Sequence, residues 1–430
     1  MTRIPQLRWW IAGLLACAAA LSYLDRQSFP VASIEIQKHI AVSDQQYAML
    51  QMLFLLAYSV MYAGGGKIAD WLGTRNGYSI LILFWSLATG LHGLVSSVFG
   101  LGMARVLLGL GEGGGFPCSA KAISEWFPAK DRALAFGIVN TGSSVGAVIA
   151  PPLIALIIIT LNWQWIFFLT SAAGLVWALV WWLFYNPPAE ERFITPEELE
   201  YIQQSLARAR LTDAAAAKDR ISWIDLFKYR QLWVLLAAKF LTDAVWFFFI
   251  FWLPKYLGDV RHLNIKQIGL YAWIPYALAG AGSFTGGWLS SLLVRRHLTV
   301  NLSRKICLGL SAATMPISLL IAKSPLGLAL AIFSMALFAH QFWSTILQTL
   351  SADLFPSAVV GSVAGLMGAV GSFGAMLFDL MVGSALTHSH SYSLVLVSAG
   401  LLHPIAFLLI LFLIPRIEPL GAPLTSGSWE

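Results

Sequence analysis

The chain has 430 residues, 58% of them hydrophobic and only 11% charged, and its mean hydropathy is +0.73. Such a composition lies outside the soluble globular range. The net charge of +6 does not point to nucleic acid, because the basic residues fall in the segments between apolar runs.

Those runs recur at lengths near twenty residues, the span of a hydrocarbon core about 30 Å thick. Twelve are expected, over 9–34, 46–66, 77–97, 99–121, 132–159, 164–185, 231–257, 268–292, 304–322, 326–350, 358–386 and 391–414. The first is too long for a signal peptide and has no small-residue cleavage site. In a twelve-span arrangement Arg3, Arg8, Lys67, Arg75, Arg132, Lys218, Arg220, Arg295 and Arg296, among others, share one side. Only Lys38, Lys255, Arg261, Lys266 and Lys323 lie on the other, so the positive-inside rule puts both termini and the long middle loop in the cytoplasm. The expected fold is an all-α membrane protein of twelve transmembrane helices.

The first run carries "SYLDRQS" at 22–28, with Asp25 and Arg26 side by side near its middle. A charge there costs roughly 2.5 to 3.5 kcal/mol on insertion scales. Arg105 and Glu112 in the fourth run are seven positions apart, so they share a face about 10.5 Å apart along the axis and cannot pair directly. Lys239 and Asp243 in the seventh run stand at i,i+4. One reading makes these groups packing ion pairs: Asp25 with Arg105, Glu112 with Arg26, Lys239 with Asp243. The other makes them a substrate and proton path, the usual meaning of intramembrane charge. Three cations near the midplane suit an organic anion, and arginine can hold a carboxylate through two parallel hydrogen bonds. Carboxylates among apolar side chains are suited to exchange protons near neutral pH. On that reading Asp25 takes the proton, and its neighbour Arg26 is thereby released to bind the anion.

Tyr58, Asn140, Ser144, His340 and Gln341 can hydrogen-bond sugar hydroxyls, or equally serve as interhelical hydrogen bonds. Trp246, Trp252, Trp273 and Trp343 can offer a stacking face to a sugar ring. Asp379 and His403 read as lying near span ends, without a role. Cys17, Cys118 and Cys307 fall inside apolar runs, where a small thiol fits better than a disulfide or metal site. "GEGGGFP" (111–117) lacks the Lys-Ser/Thr ending of a phosphate loop. His388 and His390 are too isolated to imply a metal, and no cofactor pattern appears.

Residues 187–229 form the one long polar stretch, in which Thr195-Pro196-Glu197-Glu198 reads as a helix start. It divides the chain into halves at 1–186 and 230–430, and the halves repeat one another. Gly66-x3-Asp70-x2-Gly73-x-Arg75 recurs as Gly286-x3-Ser290-x2-Leu293-x-Arg295. "SEWFP" (124–128) recurs as "ADLFP" (352–356), and at the same offset Gly137 matches Gly365 and Gly146 matches Gly374. Parallel six-helix repeats place a substrate between halves at the midplane.

The Gly66, Asp70, Gly73, Arg75 pattern resembles the loop signature of the major facilitator superfamily, with Trp71 where that pattern has a basic residue. Arg105-x3-Gly109-x2-Glu112 with "SEWFPAKDRALAFG" resembles its anion:cation symporter branch. "NTGSSVGAVIAPPL", "KFLTDAVWFFFIFWLPKYL" and "FAHQ" resemble hexuronate transporters of bacterial inner membranes. The resemblance implies proton coupling at Asp25 and Glu112, substrate binding or switching at Arg26 and Arg105, and favours Tyr58 and Asn140 as substrate groups. It also implies gating at Gly66, Asp70, Gly73, Arg75 and Arg132, with Asp70 meeting cations such as Arg132 when the inner gate is shut. The function it implies is symport of a sugar acid with protons through the lipid bilayer, with no nucleic acid and no obligatory protein partner. Other readings are a carrier of an aldonate, aldarate or aromatic acid, and a proton-driven drug exporter, which three midplane cations disfavour. A membrane enzyme lacks a visible catalytic set, and a channel needs a continuous pore, whereas duplicated halves with a charge at the midplane suit alternating access.

Overall fold

The computed structural model describes residues 3–215, 224–389 and 391–418, so Lys218, Arg220 and His390 lie outside the described residues. Its helices are α1 (Leu7–Ile36), α2 (Asp44–His92), α3 (Val98–Glu112), α4 (Gly115–Trp126), α5 (Ala129–Thr160), α6 (Trp163–Phe184) and α7 (Pro196–Ala215). They continue as α8 (Arg230–Asp259), α9 (Ile265–Tyr271), α10 (Trp273–Arg295), α11 (Val300–Thr314), α12 (Leu326–Leu354), α13 (Ser357–Ser389) and α14 (Ser393–Leu413). A 3₁₀ segment, Met315–Lys323, prolongs α11.

Among the described residues ten helical stretches are long and apolar enough to cross a membrane. The other two expected spans are the distorted ones. The second and third runs are fused into α2 with no loop, and the chain turns at Gly73, whose φ of 76° and ψ of 157° suit only glycine. The fourth run is interrupted at Gly113 and Gly114, giving α3 and α4. The glycines there answer to close packing: a Cβ on Gly109 would strike the main chain at Phe54, and one on Gly113 the carbonyl of Tyr58. α3 therefore lies backbone to backbone on α2, as small residues allow in lipid.

The internal repeat reappears as packing. A Cβ on Gly146 of α5 would meet the Ala20 carbonyl of α1, and one on Gly374 of α13 would meet the Phe240 carbonyl of α8. Gly137 and Gly365 both border open space. In the duplicated loops Glu125 accepts from Thr74 (2.7 Å) and Tyr185 (2.6 Å), while Asp353 accepts from Arg304 at 2.8 Å. Large apolar side chains such as Phe99, Val176, Phe284 and Phe412 point outward, where lipid is the solvent.

α7 begins at Pro196, as its sequence predicts, and docks on the first half. Glu198 accepts the main-chain N–H groups of Leu7 (2.8 Å) and Arg8 (3.3 Å), and pairs with the Arg8 side chain at 2.8 Å. It thus caps the first turn of α1 from another helix. Glu198→Ala should cost about 1–2 kcal/mol, the scale of a lost cap. The amides of Leu7 and Arg8 should then exchange hydrogen faster; unchanged protection there would show that the cap is not stabilising α1.

Candidate functional site

Consecutive residues on a helix diverge by about 100°, and α1 uses that angle to send its two charges to different neighbours. The Arg26 guanidinium donates from Nε (3.2 Å) and Nη2 (2.8 Å) to Oε2 of Glu112, the last residue of α3. Around it stand the rings of Tyr58 (4.8 Å), Tyr23 (4.9 Å), Phe54 (5.5 Å) and Phe247 (5.9 Å). Phe247 belongs to α8, so Arg26 lies at the seam between the halves. Oε1 of Glu112 is buried without a partner. Glu112 is therefore the counter-ion of Arg26, as the packing reading has it, and Asp25 is not, contrary to the reading that couples the two neighbours.

Asp25 faces the interior of the first half. Neither of its buried carboxylate oxygens is hydrogen-bonded. The hydroxyls of Thr170 on α6 and Thr89 on α2 stand beside it, and Glu112 is close enough to repel it.

Arg105 and Glu112 take separate partners, as their spacing requires. Arg105 Nη2 donates to Gln51 Oε1 at 2.7 Å, its guanidinium lies over Phe29 at 4.4 Å, and Nε and Nη1 have no partner. The expected Asp25–Arg105 pair does not form. Across the seam the nearby carboxylate is Asp379, which accepts from Trp252 Nε1 at 2.9 Å. The sequence reading missed Asp379 by placing it at a span end. α13 continues ten residues beyond it, about 15 Å, and Asp379 is fully buried.

Lys239 Nζ and Asp243 Oδ1 form the expected pair at 2.8 Å, both buried. Gly371 of α13 is packed against that carboxylate, where a Cβ would not fit. His340 Nδ1 lies 3.1 Å from His403 Nε2, and its ring stacks on Trp246 at 5.3 Å. His403, also read as near a span end, is in fact midway along α14 and buried. Gln341 is half-buried on α12. Asn140 is exposed on α5, one turn before Ser144, which abuts Gly280 of α10. Trp252 and Trp343 are wholly buried, their rings against Tyr47 and His403 respectively, and so present no face to a sugar.

Lys239 invites a double-mutant test. If it only neutralises Asp243, Lys239→Ala with Asp243→Asn should recover much of the uptake that Lys239→Ala loses, because an unpaired buried carboxylate costs about 3–5 kcal/mol. If Lys239 holds substrate, uptake should stay lost in both, which is the outcome we expect.

On the side carrying the termini, Asp70 pairs with Lys121 at 2.8 Å, and Lys121 also donates to the Ala69 carbonyl. Arg132 is not its partner in this conformation. It donates to the carbonyls of Phe127 (3.0 Å) and Ser124 (3.2 Å), and so caps α4. Arg75 caps α6 in the same way through the Trp182 carbonyl at 2.7 Å. Gly66 is helical, seven positions before the Gly73 turn. On the far side Lys255 of α8 pairs with Asp44 of α2 at 2.8 Å, and Tyr47 donates to the Phe251 carbonyl at 2.6 Å. Among the described residues these, with Ser59 donating to Ala369 nearer the middle (3.0 Å), are the polar links between halves. The far side is closed.

Two similar helical halves, with a buried guanidinium and its counter-ion at their seam, define a membrane carrier rather than an enzyme. The chain belongs to the Major Facilitator Superfamily, whose family model matches residues 15–378. It is 34% identical over 392 residues to the "Hexuronate transporter" of Escherichia coli (strain K12), covering 89% of each chain. It is 35% identical over 317 residues to the "Galacturonate transporter" of Dickeya chrysanthemi, covering 73% of this chain and 91% of that one. A crystal structure of a D-xylose-proton symporter superimposes with a TM-score of 0.74 over 94% of this chain and 98% of that chain, at 14% identity, a likeness of fold alone.

Proposed function

We propose that this protein imports a hexuronate such as glucuronate or galacturonate together with protons, by alternating access. The observation that carries the reading is the Arg26–Glu112 pair in its aromatic cage at the seam. A protonated Glu112 has no charge to hold Arg26, and the guanidinium is then available to a substrate carboxylate through two parallel hydrogen bonds. Tyr58 lines the same place. From the second half Lys239 and Gln341, with His340 behind them, face the ring oxygens, so one bound anion draws the halves together. Arg105 and Asn140 flank this position towards the far and the terminal side. Asp25 is the second proton site.

Both termini lie in the cytoplasm of a bacterial cell, with the protein in the inner membrane, as the excess of lysine and arginine on the terminal side supports. The closed far side is then periplasmic. Gly66, Asp70, Gly73, Arg75 and Arg132 belong to the inner gate.

Uptake of radiolabelled glucuronate and galacturonate into proteoliposomes, with and without an inward proton gradient, tests the reading. Accumulation above equilibrium only with the gradient is the expected result. No uptake of either uronate removes the substrate assignment, and accumulation indifferent to the gradient removes the coupling.

A further inference from the structure

Arg26 meets the seam where substrate binds, but Asp25 is turned away from it. A proton bound for Asp25 needs a route of its own. We infer that His92, Thr89 and Thr170 form a proton path inside the first half, between α2 and α6, leading from the far face to Asp25. The inference rests on the reading of Asp25 as a proton site.

Thr89 and Thr170 flank Asp25, and His92 lies one turn further towards the far end of α2. Thr89 and His92 share one face of the last turns of α2, and Thr170 faces them from α6. The two helices are in close contact: a Cβ on Gly90 would touch Ser171, and Gly174 gives room for Ser86. Along this seam His92 Nε2 and Trp163 Nε1 are buried without partners, and the buried Thr89 and Thr170 hydroxyls stand beside the Asp25 carboxylate. Buried polar groups ordinarily find hydrogen bonds, and a polar seam of this kind takes up water to complete them. Polar groups in succession from the far end of α2 to a mid-membrane carboxylate make a conduit.

The histidine is set for the task. Its Nδ1 lies 2.9 Å from the Ala88 carbonyl, which can only accept, so Nδ1 carries the hydrogen and Nε2 keeps its lone pair. Its ring stacks on Phe167 at 5.1 Å, which fixes the direction of Nε2. Beyond Phe167 stands Trp163, and against Trp163 the exposed His39 at the far face. A water of the seam, held by the Nε2 lone pair, takes the proton and passes one on to the threonine hydroxyls, so His92 positions the relay without changing its own protonation. Each hydroxyl accepts one proton and passes on another, and the last is bound by the Asp25 carboxylate. One proton enters, one carboxylate is neutralised, and nothing else changes. The titratable or charged groups facing this seam are Asp25 from α1, His39 beyond it, and Arg105 and Glu112 from α3.

The test measures the initial rate of proton uptake that accompanies galacturonate entry into proteoliposomes, with a pH-sensitive dye, for the full chain. Thr89→Val keeps shape without a hydroxyl, Thr89→Ser keeps the hydroxyl, and His92→Phe keeps the ring stack. Thr89→Val and His92→Phe should each slow proton uptake about tenfold, the rate equivalent of one hydrogen bond, and Thr89→Ser should stay within about twofold. Should His92→Phe fail to fold, the threonine pair decides alone. Equal rates for Thr89→Val, Thr89→Ser and the natural protein, while Asp25→Asn has lost proton-driven uptake, overturn the path and leave the proton site standing. Proton-driven uptake that persists in Asp25→Asn overturns the proton site itself, and the path with it.

Discussion

Arg26→Lys should bind uronate at least tenfold more weakly, a loss of about 1.5 kcal/mol or more, the scale of one hydrogen bond to a charged group. The guanidinium does two things that an ammonium cannot do together. It presents Nε and Nη2 in one plane to a carboxylate, as it now does to Glu112. It also lies among four aromatic rings between 4.8 and 5.9 Å from its central carbon. A lysine at this position keeps the charge but neither the fork nor the flat face that stacks on Tyr58. Binding measured by isothermal calorimetry in detergent decides the matter. Unchanged affinity in Arg26→Lys would falsify the placement of the carboxylate.

Glu112→Gln should abolish proton-driven accumulation and flatten the pH dependence of binding. The sign follows from linkage. A proton on Glu112 frees Arg26 for the anion, so proton and substrate each strengthen the binding of the other. Affinity in the natural protein therefore rises as pH falls through the range in which Glu112 is protonated, and declines as pH rises. Glutamine is neutral at every pH, so the mutant should bind at high pH about as tightly as the natural protein does at low pH. Arg26 would meanwhile be buried without its counter-ion, a destabilisation of about 3–5 kcal/mol. Added galacturonate should offset much of it, and the melting temperature of the mutant should rise more on substrate addition than that of the natural protein. Accumulation still driven by a proton gradient in Glu112→Gln would remove Glu112 from the coupling.

Much of the fold can be read from the order of the residues alone. Apolar runs near twenty residues imply twelve spans, since the thickness of a bilayer is a property of lipid. The matching glycines of the two halves are legible for a similar reason: Gly146 and Gly374 each stand where a neighbouring backbone leaves no room for a Cβ. The Lys239–Asp243 pair is legible too, because both groups belong to one helix and i,i+4 spacing fixes their distance. Breaks in the helices were less visible. A glycine run marks the division between α3 and α4, whereas α2 passes from one span to the next through the single residue Gly73.

Partnership between helices was decided only by the tertiary structure. Spacing along α3 shows that Arg105 and Glu112 cannot pair with each other, but not that one meets Gln51 and the other Arg26. Adjacency in sequence suggested that Asp25 and Arg26 act on each other. The helix instead turns them about 100° apart, one to the seam and the other into the first half. Asp379 and His403 gave no signal, because a single polar residue in an apolar run has the same pattern whether it faces lipid, a neighbour or a cavity. Local sequence sets which residues are helical and which lie at the same depth. How each helix is rotated about its axis, and so which charge meets which, depends on the packing of all its neighbours at once.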